Sequence, residues 1–327
     1  MTGTRWALAI AALISIAACG RKTAAGAAAD TTAAAHDTAA AAAAAGPARV
    51  EGFQTPESAK YDAELDVWYI TNINGSPVAK DGNGYISRLK GDGTVDSMKF
   101  IQSGKLGVTL NAPKGMALQG DTLWVADIDA VRGFNRRTGV PVASITLKGA
   151  KFLNDVAVGP DGVYITDTGI KADAKGMSHP GPDRVYRIGP NRSQSVALEN
   201  DSLAGPNGIT WDGARKQFII VPFFGNVIRA WAPGSKVTVP LGTGAGQLDG
   251  VEIIDAQRIL VTSWADSSLD VFENGSATPA YKDLPSPADI GVDTKRSRVA
   301  IPLLMENRVE FRPVPAAGAA APAKAVP

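Results

Sequence analysis

The sequence predicts an all-β fold: a six-bladed β-propeller of four-stranded blades, its ring closed by the N-terminal strand. Three observations lead there. A short apolar run, a turn and a second apolar run recur six times, from Pro56, Pro113, Leu153, Pro206, Leu248 and Pro287, and LNDVAVGPDGVYITD shows the hairpin pattern plainly. Two more strand-like runs follow each hairpin, such as Arg184 to Ile188 and Ser195 to Leu198, or Asn226 to Trp231 and Lys236 to Leu241. Each unit is therefore a four-stranded meander, and the starts recur near the roughly 40 to 50 residues of a propeller repeat.

Taken in order, the chain opens with one basic residue, Arg5, and an apolar run from Trp6 to Ala18 that is short for a membrane span and right for a secretory leader. The string Ile16-Ala17-Ala18-Cys19-Gly20 resembles the lipobox of bacterial lipoprotein signal peptides. Residues 1–18 are thus expected to be a lipoprotein signal peptide and Cys19 the lipidated residue. Gly20, rather than Asp, after the cysteine implies by the same resemblance the outer membrane, with the protein exported, lipid-anchored at the cell envelope and facing the periplasm. Cys19 is the only cysteine, so no disulfide framework is available. Residues 19–47, nearly all Ala, Thr, Gly and Asp, read as a flexible tether, and His36 within it as a solvated linker residue.

Residues 48–312 hold the six units. The sixth ends after Asn307 to Arg312, one strand short, while Arg49 to Phe53 is left over ahead of the first hairpin. This segment is expected to supply the missing outer strand and so remove two exposed sheet edges. Insertions at Asn74 to Gly84 and Gly169 to Pro182 separate the second and third strands of the first and third units, on the face where the innermost strands begin. Residues 313–327, Ala- and Pro-rich, are expected to form a disordered tail.

Aligning the six hairpins on their leading Pro or Leu puts Glu57, Lys114, Asn154, Asn207, Asp249 and Ala288 at one equivalent position. In a propeller this position faces the central channel, where Glu57, Asn154, Asn207 and Asp249 would form an oxygen-only cage. Such ligands suit Ca²⁺ or another hard divalent cation. Zinc is disfavoured, because the folded region has one His and no Cys. Lys114 leaves two alternatives: its ammonium pairs with Glu57 or Asp249 and replaces the cation, or it snorkels outward past the ring.

The motifs PES at Glu57, LNDVAVGPDG at Asn154 and Asp155, GPNGITWD at Asn207 and LDGVEI at Asp249 resemble the superfamily of senescence marker protein, gluconolactonase and luciferin-regenerating enzyme, with the paraoxonases as distant relatives. The resemblance spans Pro56 to Arg312 and takes the Glu from the first blade, the Asn pair from the third and fourth and the Asp from the fifth. It implies a calcium-dependent hydrolase of lactones or related esters, in which the ion polarises the carbonyl and acidifies a water while Asp249 or Asp155 takes the proton. Asp155 reads equally as a residue that bonds backbone amides in its own turn, and His179, in the third-unit insertion, is either a mobile loop residue or one that carries a proton or touches substrate. The alternative is a non-catalytic propeller that binds a ligand or a protein; the aromatics near this face, Trp124, Phe223, Phe224 and Trp264, suit either, and each taken alone reads as ordinary propeller core. Lys and Arg number 33 against 32 Asp and Glu, which gives nucleic acid no electrostatic reason to bind. The expected partners are a small lactone or ester and, through the N-terminal lipid alone, the membrane; the chain is expected to be a monomer.

Overall fold

The computed structural model describes residues 46, 48–173 and 176–317. The signal peptide, Cys19, His36 and nearly all of the tether lie outside the described residues, as do tail residues 318–327. Apart from three single-turn 3-10 segments, the described elements are all β-strands, in a propeller-like arrangement of four-stranded sheets.

The first unit is Pro56–Asp62, Val67–Asn72, Tyr85–Lys90 and Val95–Gln102; the second is Pro113–Gln119, Thr122–Asp127, Ala130–Asn135 and Pro141–Thr146. The third is Leu153–Gly159, Gly162–Asp167, Arg184–Ile188 and Gln194–Glu199, each strand antiparallel to the next. The leftover N-terminal segment behaves as its sequence suggested. Arg49–Glu51 pairs antiparallel with Arg308–Pro313, Val50 opposite Val309, and completes the sheet of Gly291–Asp293 and Arg298–Leu303. Phe53, fully buried, shares an apolar cluster with Val309 and Phe311, so packing reinforces the pairing.

The fourth and fifth units depart from the expectation of separate blades. Pro206–Asp212, Gln217–Pro222, Val227–Trp231 and Val239–Thr243 form one meander, and Leu248–Ile253, Ile259–Ser263, Ser268–Glu273 and Ser276–Tyr281 another. Their outer strands touch at one parallel pair, Thr243 with Ser276, which merges them into an eight-stranded sheet. Glycine permits the approach: a Cβ on Gly242, at φ +157°, would collide with the carbonyl of Gly275.

The core is divided among the junctions between units. Separate buried clusters join the first unit to the second, the second to the third, and so on to the fifth and sixth, and Ala300, Val309 and Phe311 of the sixth pack with Ala59, Trp68 and Ile70 of the first. At each junction apolar surface leaves water, at about 25 cal/mol per Å².

One local feature recurs and sets up the site. In five innermost strands the register slips after the leading residue: Pro56 faces Asn72 but Ala59 faces Ile70, and the same one-residue excess falls between Pro113 and Met116, Leu153 and Val156, Pro206 and Ile209, and Leu248 and Val251. Such a β-bulge bends the strand and frees the bulged residues from the alternation of the ladder. Glu57, Lys114, Asn154, Asn207 and Asp249 all occupy the first bulged place.

Candidate functional site

Those five bulge residues line a single cavity of about 490 Å³, within the usual range for small-molecule sites. Each is nearly buried. The walls come from loops and strand ends of several units: Gly75 and Pro77 of the first insertion, Ile170 and Met177 of the third-unit insertion, Phe152, Phe223 and Trp264, and Leu304 and Met305 after the sixth unit's second strand. Both insertions therefore overhang the cavity as expected.

The polar groups are incompletely satisfied. Trp264 donates its indole N–H to Asp249 Oδ2 at 2.9 Å, while Oδ1 of the same carboxylate is buried without a hydrogen-bond partner. Oε2 of Glu57 is orphaned in the same way. Asn154 and Asn207 each direct an amide N–H away, to Thr168 Oγ1 at 3.0 Å and to the carbonyl of Leu248 at 3.3 Å, and each keeps its carbonyl oxygen to offer a ligand. Burial, and then the charges of Asp249 and Asp289, push the Glu57 carboxyl well above the usual carboxylate range, with Lys114 opposing. The Asp249 carboxyl is pushed up to about 8, by burial first and by Asp289 second, against the hydrogen bond from Trp264. Two buried carboxylates with an unpartnered oxygen each are an arrangement that a bound cation relieves.

Lys114 reaches the cavity without plugging it. Its ammonium donates to the carbonyls of Pro77 and Ala112 at 3.2 and 3.1 Å and lies 4.3 Å from the centre of the Phe152 ring. Among the described residues it makes no salt bridge with Glu57 or Asp249. Burial brings its pKa down to about 8, against the pull of Glu57 and Asp127. Neither sequence alternative describes it: the lysine is held sideways by carbonyls and a ring, and both carboxylates stay unpaired.

Other candidates fall elsewhere. Asp155, in the second bulged place, accepts hydrogen bonds from its neighbour Val156 at 2.6 Å and from Ile209 of the fourth unit at 2.8 Å, and it does not line the cavity. The role it fills here is to tie the third unit to the fourth. Gly115 is needed beside it, because a Cβ there would strike its carboxylate. His179 also lies outside the lining; Nε2 sits 2.7 Å from Asp183 Oδ1 and the ring stacks on Phe224 at 4.3 Å. Trp124 is ordinary core, packed between the second and third units, because its place midway along a second strand turns it toward the neighbouring sheet, whereas Phe223 and Trp264 reach the cavity. Phe152, Ile73, Leu304 and Met305 also line the cavity and belong to connections that carry no repeat signal, so nothing in the sequence marks them.

Among the described residues no group of three or more His, Cys, Asp or Glu side chains could hold a metal ion. A cation would depend instead on two carboxylates and two amide oxygens, a donor set that fits a hard ion with water or substrate completing its shell.

The family model of the SMP-30/gluconolactonase/LRE-like region matches residues 56–285. Among solved structures, a gluconolactonase from Xanthomonas campestris is similar at 16% identity and a TM-score of 0.60, covering 81% of this chain and 88% of that one. A candidate gluconolactonase from a structural-genomics programme is similar at 14% identity and a TM-score of 0.59, over 80% of this chain and 90% of that one. A chain of a nidogen/laminin complex is similar at 18% identity and a TM-score of 0.52, over 67% and 75%. At these identities the structural likeness speaks to fold alone. No curated protein matches.

Proposed function

The chain belongs to the SMP-30/gluconolactonase/LRE-like family, and from that premise we propose that it is a calcium-dependent hydrolase of lactones or related esters, acting at the cavity floored by Glu57, Lys114, Asn154, Asn207 and Asp249. The observation that carries this reading is the pair of orphaned carboxylate oxygens, Glu57 Oε2 and Asp249 Oδ1, buried in one cavity. Glu57, Asn154, Asn207 and Asp249 would hold the ion, Ca²⁺ or another hard divalent cation, which supplies Lewis acidity toward an ester carbonyl and a bound water.

The remaining work falls to the chain's own groups. Trp264 fixes the Asp249 carboxylate through Oδ2, so Oδ1 is the atom that takes a proton from the attacking water. The water oxygen bonds to the carbonyl carbon, the ring C–O bond breaks, and the released oxygen takes back the proton held on Asp249 Oδ1, which gives the hydroxy acid and restores the carboxylate. Thr168 orients Asn154, and the apolar walls limit competing water.

The same reading counts six blades, with the fourth and fifth taken as two blades bridged at Thr243 and Ser276; the run of buried clusters, one per junction, supports that count. It also has the protein exported and anchored through a lipid on Cys19, for which the leader sequence is the support, and acting as a monomer. The test is hydrolysis of a panel of γ- and δ-lactones and aryl esters by the purified protein, with Ca²⁺ and with chelator. Turnover that requires the ion is expected. Calcium binding without turnover of any member would replace the hydrolase with a non-catalytic binding propeller.

A further inference from the structure

The chemistry of the cavity is divided by depth. Among the described residues its charged and amide groups are the five bulge residues, whereas the walls and rim are formed largely by Ile73, Ile170, Met177, Phe223, Leu304 and Met305. Among the described residues only two hydroxyls, those of Thr55 and Thr168, are in the lining. That of Thr168 is already committed, donating to the carbonyl of Pro206 at 2.9 Å and accepting from Asn154. A polyhydroxylated sugar lactone would bring several hydroxyls against these walls and find almost nothing to bond, and each buried hydroxyl left unpaired costs affinity.

The rim continues the apolar character into solvent. Met177 is 55% and Met305 70% exposed, on different units, and Phe224, whose ring meets that of the cavity residue Phe223, is 48% exposed. Flexible thioether side chains at a mouth adapt to apolar chains of varied shape, and exposed apolar groups gathered at a cavity mark a binding surface.

We propose that the substrate is a lactone or ester whose body beyond the reacting carbonyl is apolar, an alkyl- or aryl-substituted ring rather than a sugar lactone. The inference rests on the hydrolase reading of the same site. The carbonyl end reaches the polar floor and the substituent lies along Ile73, Phe223 and Leu304 toward the two methionines.

Non-hydrolysable lactams test this without turnover. Calorimetry of the calcium-loaded protein would compare an unsubstituted five-membered lactam, its alkyl derivatives of two, four, six and eight carbons, and the lactam of gluconic acid. The dissociation constant is expected to fall by about threefold to fourfold per methylene while the chain stays within the cavity, with the sugar lactam no tighter than the unsubstituted ring. The double variant Met177→Ser, Met305→Ser should blunt that gain for the longer chains. A constant that stays flat with chain length, or a sugar lactam that binds tighter than every alkyl lactam, would overturn the inference. Turnover is scored separately on the matching lactones: its absence counts against the hydrolase, and the lactam series alone decides the character of the walls.

Discussion

The indole of Trp264 holds one oxygen of Asp249 at 2.9 Å and leaves the other without a partner inside the cavity. The carboxylate is thereby oriented but not satisfied, a state that serves a metal ligand or a proton acceptor better than it serves stability. Asp249→Asn should cut lactone turnover by roughly 10²- to 10⁴-fold while circular dichroism stays unchanged. In chelator the same variant should melt higher than the parent, because it removes one of two buried carboxylates that repel each other. A lower melting point in chelator would mean that the carboxylate is a structural partner.

Calcium should raise the melting temperature of the parent. An ion bound only by the folded chain at one hundred times its dissociation constant adds about 2.7 kcal/mol, or roughly 5 to 10 °C for a domain of this size. Lys114→Met, which keeps the length of the side chain and removes its charge, should tighten calcium binding about tenfold. A variant that binds calcium no better would show that the ammonium, held by Pro77 and Ala112, lies too far from the ion to repel it.

A chain that begins after Phe53 should be less stable than one that begins at Ala48. It loses the strand paired with Arg308–Pro313, the hydrogen bond from Phe311 N–H to the Ala48 carbonyl, and a fully buried phenyl ring, the last alone worth about 3 to 5 kcal/mol. Equal urea midpoints would mean that the clasp contributes nothing.

Asp270 supplies a pH test away from the cavity. Burial raises its carboxyl to about 6, against the hydrogen bond from Ser268, whereas an unfolded Asp titrates near 3.9. Between these values the folded chain keeps a proton that the unfolded chain has lost, so stability falls as pH rises through about 4 to 6. Asp270→Asn should remove on the order of 2 kcal/mol of that fall, read from urea midpoints at pH 4 and pH 7. Parallel pH profiles for the variant and the parent would count against this assignment.

Cys19→Ala should move the protein from the membrane fraction to the soluble fraction of the envelope without altering the activity of the folded domain. A variant that remains in the membrane fraction would rule out lipid anchoring at that residue.

What the sequence determined by itself was the repeat. Hairpins announce themselves through local turn chemistry and alternating apolar residues, so six copies, the clasping strand and the aligned places of Glu57, Asn154, Asn207 and Asp249 were all legible in the order of residues. Tertiary structure decided what those residues meet. The bulge that turns them into one cavity is a matter of register between strands, invisible in either strand alone. The sideways hold on Lys114 needs a carbonyl from a distant loop, Pro77, and the stacking of His179 on Phe224 needs the fourth unit to meet the third-unit insertion. Likewise the apolar walls, from Ile73 to Met305, come from connections that share no pattern and are brought together only by the way the sheets pack around them. Local periodicity encodes which strands form; the cavity's chemistry depends on contacts between residues far apart in the chain, which no short-range signal records.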